Sequence, residues 1–240
     1  MMMKKIVLAM AFVLAFTSVC SAHDMWLEKK GRKAHLMYGH PGATDPYPIS
    51  RITALTGINE NNWKTRLEPV YKKGEAFVWL DDNYTMLTVE FDNKYWYHTE
   101  EAGWENFELP RQVCGKIIDE GRSYKLSKTI IEWTPGMDKP IGQRAEIVPL
   151  KDPTKLKEGD ILPVMMYFEG TPMPAAGART STTTDRTVEH PELVNLENSK
   201  PINVKIGPAG RQVIIGKYEK RLDDTRRVWY AFSLSFRTSK

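Results

Sequence analysis

Apolar residues recur at every second position along much of this 240-residue chain. Residues 85–91 place Leu87, Val89 and Phe91 on one face, and residues 227–236 repeat the pattern. Such alternation is typical of β-strands with one buried face, because successive side chains of a strand point to opposite sides. The pattern therefore predicts an all-β fold.

Turn-forming residues such as Lys30-Gly31 separate the alternating segments, as expected between neighbouring strands. No long segment has a helical period, and only residues 49–55 and 191–198 are predicted to form short helical turns. Many short strands with regular turns favour β-sandwiches. The further predicted strands are 25–28, 34–38, 65–70, 76–80, 124–133, 161–168 and 213–218.

Residues 1–22 have the pattern of a cleaved export signal, with basic residues at the start, an apolar run over 6–16 and a small, mildly polar end. The apolar run is too short to span a membrane. Cleavage after Ala22 would make His23 the first residue of the mature protein. Cleavage after Ser21 and lipidation of Cys20 remain open alternatives. We expect a periplasmic protein with no stable membrane insertion after cleavage.

Removal of residues 1–22 takes away two lysines and no acidic residue, so the net charge falls from +4 to +2. This near balance gives no indication of a nucleic-acid partner. Cys20 also leaves, and the mature chain keeps only Cys114. An intramolecular disulfide is then excluded, so apolar packing must stabilise the fold. Cys114 itself is expected to be a small buried residue rather than a nucleophile.

The segment 134–142 contains two prolines and two glycines between two strand-like blocks. Such a segment favours a domain junction. We therefore predict two β-sandwich domains, Ig-like or prealbumin-like, at residues 23–142 and 143–240.

The five histidines supply the clearest candidate chemistry. If His23 is N-terminal, its α-amine and its Nδ1 can close a six-membered chelate ring on one metal ion, since the pKa of an α-amine is about 8. One further imidazole gives the planar set of three nitrogens that Cu²⁺ and Ni²⁺ favour. His40 is the first choice, Asp24 is a candidate ligand or orienting residue, and His35 is a candidate although odd spacing turns it to the other face.

Conventional catalytic motifs are absent from the sequence, which contains neither Gly-x-Ser-x-Gly nor His-Glu-x-x-His. We therefore expect no enzyme, although an N-terminal histidine also serves oxidative copper chemistry. The alternative function is a non-catalytic cell-envelope module that binds a protein or a glycan through Trp96 and Trp104. His98, in the same aromatic run, is expected to be a packed or surface residue.

Several motifs resemble the bacterial DUF4198 family in their order and spacing. The resemblance implies β-sandwich domains and a periplasmic component that accompanies nickel or cobalt uptake. The implied ligand is Ni²⁺ or Co²⁺, with Cu²⁺ as a further candidate, and the implied partner is a membrane metal transporter. The sequence departs from the family pattern at residues 210–213 and 226–227. The motifs that carry the resemblance are residues 23–28, 35–42, 94–99 with Gly103, 145–150, 152–153, 156–160 and 170–173.

Overall fold

The computed structural model describes residues 23–40, 42–72, 74–173, 176–182 and 200–238. Within these residues the regular elements are β-strands and one 3₁₀ turn at Ile49–Arg51, so the all-β prediction is confirmed. The strands are β1 (Asp24–Lys30), β2 (Lys33–His40), β3 (Ala43–Thr44), β4 (Ile52–Asn59), β5 (Lys64–Arg66), β6 (Val70–Lys72), β7 (Glu75–Trp79), β8 (Tyr84–Thr99), β9 (Gly103–Phe107), β10 (Ile117–Ile130), β11 (Ala145–Pro149), β12 (Ile161–Phe168), β13 (Thr171–Pro172), β14 (Ala176–Thr182), β15 (Ile202–Lys205), β16 (Arg211–Arg221) and β17 (Arg226–Arg237).

The strands form three sheets. The first has the order β1-β2-β7-β6, with β3 paired to β2. The central sheet has the order β14-β16-β17-β10-β8-β4-β5, with β9 paired to β8, and its β10–β17 pair is parallel. The third has the order β11-β12-β13, with β15 paired to β12. Strands from both sides of Gly142 share the central sheet, and the division into two domains at that residue stays a prediction.

Opposite faces of the central sheet contribute to two apolar cores. In β8, Leu87, Val89 and Phe91 pack against residues of the first sheet, as their alternation predicts. In β17, Phe232 and Leu234 pack against residues of the third sheet. The molecule is therefore organised as sandwich-like layers, and two-residue periodicity supplies the apolar side chains of both cores.

The second face of the long strands is more buried than alternation alone predicts. Thr88 is expected to face solvent, yet it is buried, as are Ser127 and Ser233. Ser127 and Ser233 lie under β1, whose carbonyl groups need hydrogen-bond donors at the edge of the first sheet, whereas Thr88 lies on the opposite face of the central sheet. Ser233 donates to the Met25 carbonyl oxygen at 2.6 Å. Buried hydroxyl groups thereby hold the first strand against the central sheet.

The predicted junction is held by a buried ion pair. The Lys128 ammonium donates to the Glu146 carboxylate, and both side chains are inaccessible to solvent. Burial lowers the pKa of Lys128, and the charge of Glu146 opposes that shift. Glu146 also accepts hydrogen bonds from the backbone amides of Ile141 and Gly142, at 3.0 and 2.9 Å. The carboxylate thus joins the irregular segment to β10 and β11.

Three predictions fall short in detail. The strand predicted at 65–70 is divided between β5 and β6, with Pro69 in the gap. The helical turn predicted at 49–55 is limited to Ile49–Arg51 and is followed by β4. Cys114 is exposed rather than buried, because it lies in the irregular loop before β10.

Residues 1–22 and 191–198 lie outside the described part of the chain, and so does His190. Among the residues that the structure describes, no helix is long and apolar enough to cross a membrane.

Candidate metal site

The first hairpin brings two of the predicted ligands together. In the antiparallel pair of β1 and β2, Asp24 lies opposite Gly39, and Met25 lies opposite Tyr38. Continuing this register by one residue places His23 opposite His40. Opposed residues of an antiparallel pair point to the same side of a sheet, so the two imidazoles meet at the end of the hairpin.

The two imidazoles form a stack with a tyrosine. The ring centroid of His23 lies 5.0 Å from that of Tyr38, with an angle of 5° between the planes. The centroids of His23 and His40 are 5.4 Å apart, with an angle of 26°. Since a metal ion lies about 2.0–2.1 Å from each ligating nitrogen, two imidazoles on one ion have centroids up to roughly 6.5 Å apart. Rotation about the side-chain bonds of His40 would therefore allow its ring to reach an ion that His23 binds.

Asp45 approaches His23 from a tight turn after β2. Gly39 has a φ of +129°, and a Cβ atom there would lie 2.5 Å from the Ala43 carbonyl oxygen. Only glycine allows this close return of the chain. The Asp45 amide then donates to the Tyr38 carbonyl oxygen at 2.9 Å. This geometry places the Asp45 carboxylate 2.7 Å from Nε2 of His23.

Asp24 lies close to His40. Its side chain is buried, and its Oδ2 atom lies 3.9 Å from Nδ1 of His40. This separation is too long for a hydrogen bond but allows an electrostatic interaction. The sequence predicts Asp24 as an oxygen ligand or as an orienting group of His23; the structure places it beside the second histidine, and its role towards a metal stays a prediction. We refer to His23, Asp24, Tyr38, His40 and Asp45 together as the His23–His40 site.

A polar network supports Tyr38 from within the protein. The Tyr38 hydroxyl donates to Oδ1 of Asn93 at 3.1 Å, and Arg51 donates to the same oxygen at 3.5 Å. Arg51 also forms an ion pair with Glu108, with 2.6 Å between its guanidinium nitrogen and the carboxylate. Burial raises the pKa of Tyr38 to about 12. The phenol therefore remains neutral at physiological pH, and its ring provides a fixed surface for His23.

His35 belongs to a different set of contacts. Its Nδ1 lies 3.5 Å from Glu75, and its ring packs at 5.9 Å against that of Phe77. His35, Tyr38 and Asp45 all border a groove of about 320 Å³ beside the site. The hairpin thus brings His23, Asp24 and His40 together and directs the His35 ring to β7.

No group of three or more His, Cys, Asp or Glu side chains within the described residues is arranged to hold a metal ion. The His23–His40 site offers two imidazoles, so a set of three nitrogen ligands here requires the α-amine of His23 as the third nitrogen. That amine exists only if cleavage frees it. The residues present are therefore compatible with a metal, on the condition that His23 is the mature N-terminus.

Sequence reasoning missed two members of the site. Tyr38 has the same strand parity as His40, which is a usable signal for a shared face. Asp45 has a weaker signal, because its contact with His23 depends on the turn around Gly39 and spans 22 positions along the chain.

The predicted aromatic region lies elsewhere. His98 stacks on Trp104, with 4.7 Å between centroids and 11° between planes, so it is the packed residue that the sequence predicts. Trp104 is 39% exposed and contacts Trp229 edge to face at 5.7 Å. Trp96 is half-buried, and its Nε1 donates to the Asn93 carbonyl oxygen at 3.1 Å. Trp104 is therefore the more accessible of the two predicted tryptophans.

Comparison with known proteins places most of the chain in one family. A family model described as "Domain of unknown function (DUF4198)" matches residues 20–207. No curated protein gives a significant match. The matched region includes both histidines of the His23–His40 site.

Proposed function

The chain belongs to the DUF4198 family, and from that premise we propose that it is a periplasmic metal-binding protein that supports nickel or cobalt uptake. Its mature N-terminal histidine binds Ni²⁺ or Co²⁺, and the protein delivers the ion to a membrane transporter. The binding step is carried by the His23–His40 site. The proposed delivery to a transporter is based on the resemblance to the family that the sequence shows.

The contact between His23 and His40 is the observation that supports the proposal most strongly. The ring centroids of the two imidazoles are 5.4 Å apart, a separation that is compatible with binding to one ion. His23 contributes its Nδ1 and, after cleavage, its amine, and His40 contributes the third nitrogen. Such a set suits borderline divalent metals, whose affinities rise from Co²⁺ through Ni²⁺ to Cu²⁺. Cu²⁺ therefore remains a further candidate, and the availability of each metal ion in the cell determines which ion is bound.

The anchoring of β1 also supports the proposal. Trp26 is fully buried, and the Glu28 carboxylate pairs with Arg211. Together with the hydrogen bond from Ser233 to Met25, these contacts fix the chain within a few residues of His23. A ligand set held on a rigid strand loses less conformational entropy when it binds an ion.

Calorimetric titration of the mature protein with Ni²⁺, Co²⁺ and Cu²⁺ tests the proposal. We expect one ion per chain, and we expect His23→Ala to lower the affinity by more than about 100-fold, because it removes one of three ligating nitrogens. His35→Ala is the matched control, since His35 lies in the same hairpin and contacts Glu75 instead. Equal binding by the wild type and His23→Ala, or binding by neither, would refute the N-terminal site.

A second candidate function is a non-catalytic cell-envelope module that binds a glycan or a protein. The exposed indole of Trp104, supported by His98 and Trp229, favours it. Aromatic surfaces of this kind bind apolar faces of sugars and peptides. Loss of envelope binding in Trp104→Ala, with unchanged binding after metal removal, would favour this function over the first.

A further inference from the structure

Carboxylates face one nitrogen of each histidine in the His23–His40 site. Asp45 Oδ2 lies 2.7 Å from Nε2 of His23. Asp24 Oδ2 lies 3.9 Å from Nδ1 of His40. The second ring nitrogen of each histidine does not face its carboxylate. This nitrogen is Nδ1 in His23 and Nε2 in His40.

The contact with Asp45 determines the hydrogen position in His23. An ionised carboxylate only accepts hydrogen bonds, so His23 Nε2 must carry the hydrogen that lies between them. A neutral imidazole carries one hydrogen, and its lone pair is then on Nδ1. Nδ1 is also the nitrogen that closes a six-membered chelate ring with the α-amine of the same residue. The observed hydrogen bond thus favours the tautomer that the chelate requires.

We propose that Asp45 is a positioning residue that holds His23 in its Nδ1-donor form and does not itself bind the metal. The inference rests on the proposed metal-binding function. Asp24, whose Oδ2 lies 3.9 Å from Nδ1 of His40, acts on that ring only by electrostatic attraction, which favours a hydrogen on Nδ1. Carboxylates in this position fix the orientation of a ligating imidazole and increase its basicity. The metal then has three nitrogen ligands, a set that selects Ni²⁺ and Cu²⁺ more strongly than Co²⁺.

The surroundings of Asp45 suit an orienting role. Its backbone amide is held by the Tyr38 carbonyl oxygen, and its side chain is 53% exposed. The ring of Tyr38 stacks on the His23 ring with 5° between the two ring planes, and this contact fixes the plane of the imidazole. Tyr38 therefore determines the plane of the imidazole, and Asp45 determines its rotation within that plane.

Two substitutions at Asp45 separate positioning from direct ligation. Asp45→Asn keeps an oxygen that accepts the Nε2 hydrogen, whereas Asp45→Ala removes it. We expect Asp45→Asn to retain affinity for Ni²⁺ within a few-fold of the wild type, and Asp45→Ala to lose about 10- to 100-fold. Glu75→Ala, which removes the carboxylate beside His35, is the matched control and should bind Ni²⁺ as the wild type does.

NMR of the metal-free mature protein gives an independent measurement, because the ¹⁵N shifts of an imidazole show which nitrogen carries the hydrogen. We expect the signal of a hydrogen on Nε2 of His23 in the wild type and in Asp45→Asn, and a mixture of both tautomers in Asp45→Ala. Equal loss of Ni²⁺ affinity in Asp45→Asn and Asp45→Ala would show that Asp45 is a ligand. Unchanged Ni²⁺ affinity in both variants would show that the contact between Asp45 and His23 has no role in metal binding. If the wild type shows the signal but binds no Ni²⁺, Co²⁺ or Cu²⁺, the proposed function fails while the hydrogen bond stands.

Discussion

A histidine ring stacks on a larger aromatic ring in two regions of this molecule. His23 stacks on Tyr38 at 5.0 Å and 5°, and His98 stacks on Trp104 at 4.7 Å and 11°. The stacking geometry is nearly the same. The surroundings differ, because His23 also contacts His40 and Asp45, whereas the described strands β8, β9, β10 and β17 contain no second histidine.

A stacked histidine alone is therefore not a sufficient reason to propose a metal site. Stacking fixes the ring plane in both regions. The proposed metal site also requires a second imidazole within reach and a fixed hydrogen position, and the structure has His40 at 5.4 Å between ring centroids and a contact between His23 Nε2 and Asp45. His98 lies within a continuous strand, so its backbone nitrogen is an amide, whereas cleavage before His23 would provide a further ligating amine.

The largest expected difference between the regions is in metal affinity. His40→Ala should lower the affinity for Ni²⁺ by more than about 100-fold, or about 3 kcal/mol, because it removes one of three nitrogen ligands. His98→Ala should leave the affinity unchanged. Competition titration against a chelator of known affinity measures both. A comparable loss in His98→Ala would abolish the contrast between the two regions.

A smaller difference is expected in the response to alkaline pH. Burial raises the pKa of Tyr38 to about 12, above its unfolded value of 10.0. The neutral phenol therefore stabilises the fold fully below pH 10, and this contribution is lost as the pH rises towards 12. Tyr38→Phe should reduce the loss of stability by up to about 1.4 kcal/mol per pH unit in this window.

Urea unfolding between pH 9 and pH 11.5 measures this effect. Below pH 10, Tyr38→Phe should itself cost about 1 kcal/mol, since it removes the hydrogen bond to Asn93. Trp104→Phe, which changes the aromatic partner of His98 without adding or removing an ionisable group, should keep the pH dependence of the wild type. Identical slopes for the wild type and Tyr38→Phe would contradict the assigned burial of the phenol.

The apolar faces of the strands can be predicted from the sequence. Alternation in residues 85–91 and 227–236 identifies buried faces, since a strand exposes alternate residues to alternate sides. The same rule expects Thr88 to lie in solvent, and the rule fails there because a second sheet covers the other face. A single strand does not indicate how many layers will cover it. Lys128 and Glu146 are missed for the same reason, as charged residues are rarely expected in a core.

The candidate site is only partly visible in the sequence. His23, Asp24 and His40 can be selected from their chemistry and from the expected cleavage position. Asp45 depends on the turn at Gly39, whose positive φ is determined by tertiary packing as well as by residue type. The contact between His35 and Glu75 likewise depends on the pairing of β2 with β7, which the spacing of histidines does not reveal.

The requirement for a free α-amine on His23 is the central claim, and selective acetylation of that amine tests it most directly. Acetylation removes the ligand without adding a residue, whereas an added residue would supply a new amine and a different chelate. Titration of the mature protein with Ni²⁺ before and after acetylation should show a loss of affinity of more than about 100-fold. Equal affinities before and after acetylation would contradict the claim.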